Sequence, residues 1–318
     1  MVKLVSIVTP VFNEEGCVEE LARRLSAVFD SLPAYEFEVI AVENGSCDRT
    51  YELLLTLHER DQRFKVVQLA RNFGADGGVT AGLAHARGDA AVIMSADLQD
   101  PPELIPLFLQ KWEEGFENVY GVITARHGTG PIRRLNSQLF YWLIGKLTDN
   151  RVPQNASDFR LVDRGVYETI NGMPEQNRFM RGLFAWVGYR SIGIEHERPP
   201  RYGGESKANT LHVLDLAVRG ILAHSNVPLK AIPFFGGLIS ICSFAALMVF
   251  VVKFLFFGVP FSGFGTIVGI SLLMFGFLFS ILGIMGQYIG LIYEEVKRRP
   301  NYIVRTTVGI DRAQSQGD

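Results

Sequence analysis

Two long apolar runs, Phe234 to Phe257 and Phe264 to Ile292, constrain this chain more than any other feature of its sequence. Each exceeds the ~20 residues a helix needs to cross a ~30 Å hydrocarbon layer. Lys253 is the only charge within them, and it lies near the end of the first run, where a long side chain snorkels to the interface. Gly258 to Gly263 joins the runs as a short uncharged turn. Arg219 and Lys230 precede the pair, and Lys297, Arg298, Arg299 and Arg305 follow it. By the positive-inside rule both ends of the chain are expected in the cytoplasm, with the turn outside. Residues 231–318 are therefore expected to be a two-span membrane domain (about 234–257 and 264–292) with a basic cytoplasmic tail, multi-pass in the cell membrane. Just before it, Leu211, Leu214, Val218, Ile221 and Leu222 recur at helical spacing with His212, Asp215 and Arg219 between them. That pattern suits an interfacial helix over about 208–226, with a core helix of the preceding domain as the alternative. Gly236, Gly237, Gly276 and Gly283 permit close helix contacts, which leaves a homo-oligomer open.

The first 230 residues carry most of the charge. Lys and Arg total 31 against 33 Asp and Glu, a balance that gives no electrostatic footprint for nucleic acid. Three cysteines, Cys17, Cys47 and Cys242, are an odd set without paired spacing, which argues against a disulfide framework or a zinc site. Met1-Val2-Lys3 runs straight into a strand-like segment, so no secretory leader is expected.

Strands and helices alternate through this region. Leu4 to Pro10, Phe37 to Val42, Lys65 to Leu69 and the run from Ala90 read as strands. Between them Val18, Leu21, Leu25 and Val28 mark one helix, and Leu53, Leu54 and Leu57 a second, capped by Asp48. Gly77 to Ala86 reads as a third, rich in small residues. Such alternation predicts βαβ units and a mostly parallel sheet, an α/β fold. The fourth strand ends abruptly in Ser95-Ala96-Asp97-Leu98-Gln99-Asp100-Pro101-Pro102, where the prolines stop it and pre-set a new helix. Asp97, Gln99 and Asp100 thus reach the carboxyl edge of the sheet, where open α/β folds bind ligands. Their oxygens suit a hard divalent cation shared with substrate phosphates. No Gly-x-Gly-x-x-Gly follows the first strand and no P-loop is present, so a dinucleotide cofactor and a phosphate-cleaving ATPase are both disfavoured.

Four ordered segments carry a family resemblance: Val8-Thr9-Pro10-Val11-Phe12-Asn13-Glu14-Glu15, Glu43-Asn44-Gly45-Ser46-Cys47-Asp48-Arg49-Thr50, Ala70-Arg71-Asn72-Phe73-Gly74 and Ala96 to Glu103. They resemble the family 2 glycosyltransferases of GT-A fold, and more closely the polyprenyl-phosphate enzymes: bactoprenol glucosyltransferases and their dolichol-phosphate mannose synthase relatives. The resemblance covers nearly the whole chain, apolar end included. It implies a GT-A nucleotide-sugar (Rossmann-like) domain over residues 1–230. It also implies that Pro10, Phe12 and Glu14 frame the nucleotide, and that Ser95 and Ala96 line it beside Asp97. Glu43 and Asn44 stand where the family usually has two aspartates that hold base and ribose. Ser95 stands where many relatives carry the first acid of an Asp-x-Asp pair. Asp97 and Gln99 become ligands of Mg²⁺ or Mn²⁺.

Beyond Asn118 to Ile123, read as a further strand with Thr124 to Gly128 as the loop leaving it, Arg126, Arg133 and Ser137 form a candidate clamp for an acceptor phosphate. Arginines at a helix start oppose the macrodipole unless an anion sits there, and a guanidinium grips phosphate bidentately. Asn155 to Leu161 delivers Asp158 from a small-residue loop to an apolar strand, with Arg160 as a possible partner for an acid. By resemblance, Asp158 is the catalytic or acceptor-orienting acid. In Arg201-Tyr202-Gly203-Gly204-Glu205-Ser206-Lys207 two glycines make a loop able to close over a diphosphate. The resemblance agrees, assigning Arg201, Ser206 and Lys207 to that contact. The expected reaction is inverting transfer of a hexose from a nucleotide diphosphate sugar, UDP-glucose first, to polyprenyl (undecaprenyl) phosphate at the cytoplasmic membrane face, for cell-envelope glycan modification. GDP-mannose, another lipid acceptor, polysaccharide extension and a catalytically decayed tethered scaffold are the alternatives.

Overall fold

The computed structural model describes residues 2–126, 155–176, 178–199, 202 and 263–310, with scattered positions between 232 and 256. They fall into two units: Met1–Val213 together with Arg299–Asp318, and Leu214–Arg298.

The first unit is built on an eight-stranded mixed sheet. In chain order its elements are β1 (Lys3–Val11), α1 (Val18–Asp30), β2 (Tyr35–Glu43), α2 (Thr50–Arg60), β3 (Phe64–Leu69), α3 (Gly74–His85) and β4 (Ala90–Ile93). A 3₁₀ turn (Pro102–Leu104), α4 (Ile105–Glu113), β5 (Asn118–Arg126), β6 (Ala156–Asp163), α5 (Arg164–Asn171), α6 (Met180–Trp186), β7 (Ser191–Arg198) and β8 (Val304–Val308) follow. The strand order is β7-β5-β6-β4-β1-β2-β3-β8. β4, β1, β2 and β3 run parallel, as alternation with helices requires. β6 runs antiparallel to β4 and β5, and β8 antiparallel to β3, so the sheet is mixed where a mostly parallel one is expected.

Its centre is mostly hydrocarbon because both faces are covered. Val5, Ile7, Val39 and Val92 face a core shared with Leu25 and Phe29 of α1, Leu54 of α2 and Phe108 of α4. Val8, Ile40, Val42 and Ile93 face the opposite layer, with Leu83 of α3, Ile170 of α5 and Phe184 of α6. α3 lies so close to β1 that a Cβ on Gly82 would come 2.2 Å from Val8 Cγ1, which explains that helix's small residues.

Several sequence-based boundaries shift. Thr124 to Arg126 prolong β5 and are not part of a loop: Ala125 and Arg126 pair with β7, with Thr124 at a shift in register. Val304–Val308 is not free tail: it pairs with β3 and closes the sheet's edge. The helix expected to start at Gly77 begins three residues earlier, after Phe73.

In the second unit a single 34-residue helix, α7 (Phe264–Lys297), contains the whole second apolar run and ends at Arg298 in the left-handed region. Among the described residues it is the one helix long and apolar enough to cross a membrane, over Leu273–Lys297. Leu273, Phe275, Phe279 and Ile289 all stand exposed along it. Described positions of the first run, among them Leu238, Ile241, Phe244 and Val252, are helical and exposed as well. The turn over 258–262 and the stretch over 208–226 lie outside the described residues.

Candidate active site

Strand direction decides which loops can meet. β1, β2, β3 and β4 end, and the antiparallel β6 and β8 begin, at one edge of the sheet, where β5 and β7 also end. Asn13, Asn44, Asn72, Asp97, Asp158 and Arg198 are therefore delivered to one side. Among the described residues, three of the four non-glycine positions with positive φ, Asn13, Leu98 and Asn155, sit at this edge. Asn tolerates that region; for Leu98, buried at φ 60°, it is strain, stored between Asp97 and Gln99.

The nucleotide-side loops are braced through backbone groups. Ser46 Oγ accepts from the Asn13 N–H at 3.0 Å, Thr50 Oγ1 from the Glu14 N–H at 3.0 Å, and Asn13 Oδ1 from the Cys47 N–H at 2.8 Å. Asn44, only 3 % exposed, accepts from the Phe73 N–H at 2.9 Å and donates to the Gly74 carbonyl at 2.8 Å, which fastens the loop after β2 to the loop after β3. Glu43, 1 % exposed, turns its carboxylate onto the Ser46 N–H. These two side chains hold the loop shape, so the departure from two aspartates has a local structural use. Gly45 completes the brace: its φ is +74°, and a Cβ would lie 2.7 Å from both Arg71 C and Asn72 N. Asp48 acts as expected at the head of α2, accepting from the Thr50 N–H at 3.1 Å. Pro10 packs under α3, 2.9 Å from the position a Cβ on Gly78 would take.

At the end of β4, Ser95 Oγ lies 2.8 Å from Asp97 Oδ1 and 2.6 Å from Asp100 Oδ2. One hydroxyl proton cannot serve two carboxylates. Burial, with Asp97's charge adding, pushes the Asp100 carboxyl up despite Arg198 and the Ser95 bonds. Asp97 Oδ1 also accepts from the Gln99 N–H at 3.2 Å. The Gln99 amide nitrogen donates to the Pro199 carbonyl at 3.4 Å, and the Tyr202 N–H to the Asp97 carbonyl at 3.4 Å. The segment leading into the Gly203-Gly204 loop thus starts over the Asp97 loop.

No group of three or more His, Cys, Asp or Glu side chains able to hold a metal forms among the described residues. What the edge does offer is Asp97, the Gln99 amide and an Asp100 Oδ1 that is buried with no hydrogen-bond partner among them. That oxygen-only donor set fits a hard cation completed by substrate phosphates and water, and not a closed protein cage.

Asp158 is the expected acid, yet its partner is not Arg160. Arg181 of α6 grips it bidentately, Nε to Oδ1 at 2.9 Å and Nη2 to Oδ2 at 2.6 Å. Arg160 instead donates to the Ser157 carbonyl at 2.9 Å and stacks over Phe184, its charge centre 4.4 Å from the ring. Its burial brings its pKa down to about 10. Desolvation works against ionisation of Asp158, but Arg181, with Arg160 and Arg198 adding, outweighs it and holds the carboxyl below the usual range. Arg181 and Arg198 were not expected from sequence, since a lone arginine between Met180 and Gly182 carries no pattern. Arg126 sits at the end of β5 with its backbone paired to Arg198. Arg133, Ser137, Arg201, Ser206 and Lys207, and the side chain of Arg126, lie outside the described residues.

A helix-covered α/β sheet with acids and amides gathered at its carboxyl edge is the architecture of a nucleotide-sugar transferase domain. The chain belongs to the family described as Glycosyl transferase family 2, whose profile matches residues 6–170. The sheet is accordingly the Rossmann-like GT-A fold. Over 306 residues the chain is 39 % identical to an uncharacterized glycosyltransferase of Synechocystis sp., covering 96 % of each chain. It is 35 % identical over 301 residues to the SfII prophage-derived bactoprenol glucosyl transferase of Shigella flexneri, covering 95 % of this chain and 97 % of that one. A solved structure of glucosyl-3-phosphoglycerate synthase from Mycobacterium tuberculosis, in complex with Mn²⁺, UDP-glucose and phosphoglyceric acid, is similar at 19 % identity and TM-score 0.48, covering 70 % and 78 % of the two chains.

Proposed function

We propose that this glycosyltransferase moves a hexose, glucose first, from a nucleotide diphosphate sugar, UDP-glucose first, to polyprenyl phosphate at the cytoplasmic face of the cell membrane. The observation that carries this is end-to-end similarity to proteins named bactoprenol glucosyl transferase: the match spans 95 % of the chain and so includes its apolar end.

The chain divides in this reading into a catalytic domain over 1–230, completed after the apolar region by β8, and a two-span hairpin (about 234–257 and 264–292). One topological fact supports an even number of crossings. β8 follows α7 in sequence yet pairs with β3, so the two flanks of the apolar region share one side of any bilayer.

Pro10, Phe12, Glu14, Glu43, Asn44, Ser95 and Ala96 shape the nucleotide side, and Asp97 with Gln99 would hold Mg²⁺ or Mn²⁺. When bound, that cation supplies Lewis-acid neutralisation of the leaving diphosphate. Arg201 and Lys207 would bring positive charge, and Ser206 a hydroxyl, to the same diphosphate. Arg126, Arg133 and Ser137 grip the acceptor phosphate, and Asp158, fixed by Arg181, orients it. Among the described residues no serine, cysteine or acid of the cluster is set as a nucleophile, which favours a single displacement with inversion. A phosphate placed in line behind the anomeric carbon then needs alignment more than activation.

The test is transfer of radiolabelled sugar from UDP-glucose or GDP-mannose into an organic-extractable phosphate lipid by the full chain in detergent. Label in the lipid from UDP-glucose, lost in Asp97→Ala, is the expected result. Label from GDP-mannose alone would change the donor. Nucleotide binding without any lipid product would favour a tethered scaffold.

A further inference from the structure

We propose that Asp76 is the residue at this edge that receives a proton from the incoming acceptor phosphate, while Asp158 stays ionised and only positions it. The inference rests on the lipid-phosphate reading above. Both oxygens of Asp158 accept charge-assisted bonds from Arg181, and a carboxylate so held is a poor proton acceptor. Asp76, in the first turn of α3, has one long side-chain bond among the described residues: its Oδ1 accepts from the Met180 N–H at 3.4 Å. Met180 and Arg181 are consecutive, so neighbouring residues of α6 hold the two acids side by side.

Among the described residues the charges that act on Asp76 are Asp158 from β6 and Arg181 from α6. The other elements packed on α3 turn theirs elsewhere: Glu43 of β2 to the Ser46 N–H, and Arg164 of α5 to the Gly88 and Arg87 carbonyls. β1 has its only charged residue, Lys3, at the opposite edge, bonded to Glu113, while Glu168 of α5 lies on that helix's exposed side. Burial, then the charge of Asp158, raise Asp76 to about 6, against the Met180 N–H and Arg181. Two neighbouring acids are thus driven apart in proton affinity, one lowered by its arginines and one raised toward neutrality. A phosphate monoester has its second pKa near ~6, so donor and acceptor of the proton are matched.

The step balances. The O–H bond of the hydrogen phosphate breaks and its proton goes to an Asp76 carboxylate oxygen. The freed oxygen's pair forms the bond to the anomeric carbon, and the bond from that carbon to the nucleotide's β-phosphate oxygen breaks with its pair staying on the nucleoside diphosphate. Asp76 then gives the proton to water. An acceptor that arrives as the dianion has no proton to give, so the need for Asp76 grows as pH falls.

The test compares wild type, Asp76→Asn and Asp76→Glu as full chains in detergent, with UDP-glucose and short-chain polyprenyl phosphate, from pH 5.5 to 8.5. The deficit of Asp76→Asn should be negligible at pH 8 and grow to about twofold by pH 5.5, with Asp76→Glu restoring the wild-type profile. A deficit equal at every pH would mark a merely structural role and overturn the proposal. Infrared titration of the carboxyl band in the nucleotide-free protein gives a readout independent of transfer. A group titrating near pH 6 should vanish in Asp76→Asn and move lower in Asp158→Asn, where the repelling charge is gone and Arg181 is released. Its absence would overturn the assignment even if lipid transfer is confirmed. Wild type making no lipid-linked sugar with that titration intact would overturn the function instead.

Discussion

Arg181 holds Asp158 as a two-point fork, and that fork joins the start of β6 to the start of α6 across 23 positions of sequence. Removing either end leaves the other charge with weaker partners. Arg181→Ala and Asp158→Asn are each expected to lower turnover by about 10²-fold or more, while nucleotide affinity stays within a few-fold. Arg181→Lys should restore little, because an ammonium cannot reproduce the planar fork. Turnover of labelled sugar beside equilibrium nucleotide binding separates these outcomes; near-normal turnover in Asp158→Asn would remove that acid from the mechanism.

Asp97 is the oxygen donor that the cation reading needs most. Asp97→Ala should abolish the part of nucleotide binding that responds to Mg²⁺ or Mn²⁺, and Gln99→Ala should weaken it. Calorimetric titration of UDP with and without chelator reads both, and cation-dependent affinity surviving in Asp97→Ala would place the cation elsewhere.

Gly45 meets two independent demands, a positive φ and an approach of 2.7 Å to the backbone of Arg71 and Asn72. Gly45→Ala satisfies neither. A loss of about 2 kcal/mol or more is expected, with nucleotide affinity falling as the Asn44 brace opens. A chemical denaturation curve superimposable on wild type would contradict the close approach.

Asp76 also has a stability signature. Its folded pKa is raised to about 6 from an ordinary 3.8, so the folded state binds the proton more tightly. The stabilising contribution is full below the unfolded value and is lost as pH rises through about 6. Asp76→Asn should therefore raise the melting temperature at pH 8 and give no comparable gain at pH 4.5. The same shift at both values would show that the charge of Asp76 is not what costs stability.

Much of this architecture is legible before any coordinates. Central strands covered on both faces must be continuous runs of Val, Ile and Ala, and those runs, broken by acids and prolines, reveal β1, β2, β4 and the edge at Asp97. β7 is missed because Ser191–Arg198 lies near the sheet's margin and alternates charge with weak hydrocarbon. β8 is missed because Val304–Val308 is short, and its pairing with β3 is a contact between distant positions that no local pattern announces. The site divides in the same way. Asp97, Gln99 and Asp158 stand at strand ends with visible signals. Arg181 and Asp76 act through where α6 and α3 begin, and Leu98 adopts a backbone conformation that its side chain gives no reason to expect.

β8 also sets an order of events. Its five residues are made only after the ribosome has finished the apolar helix, so the edge of β3 stays open throughout synthesis of that helix. The sheet is completed last, by a piece arriving from the far side of the hydrophobic segment. Until then β3 presents unsatisfied amides to any passing strand, and a chain cut short within the apolar helix never makes the piece that covers them.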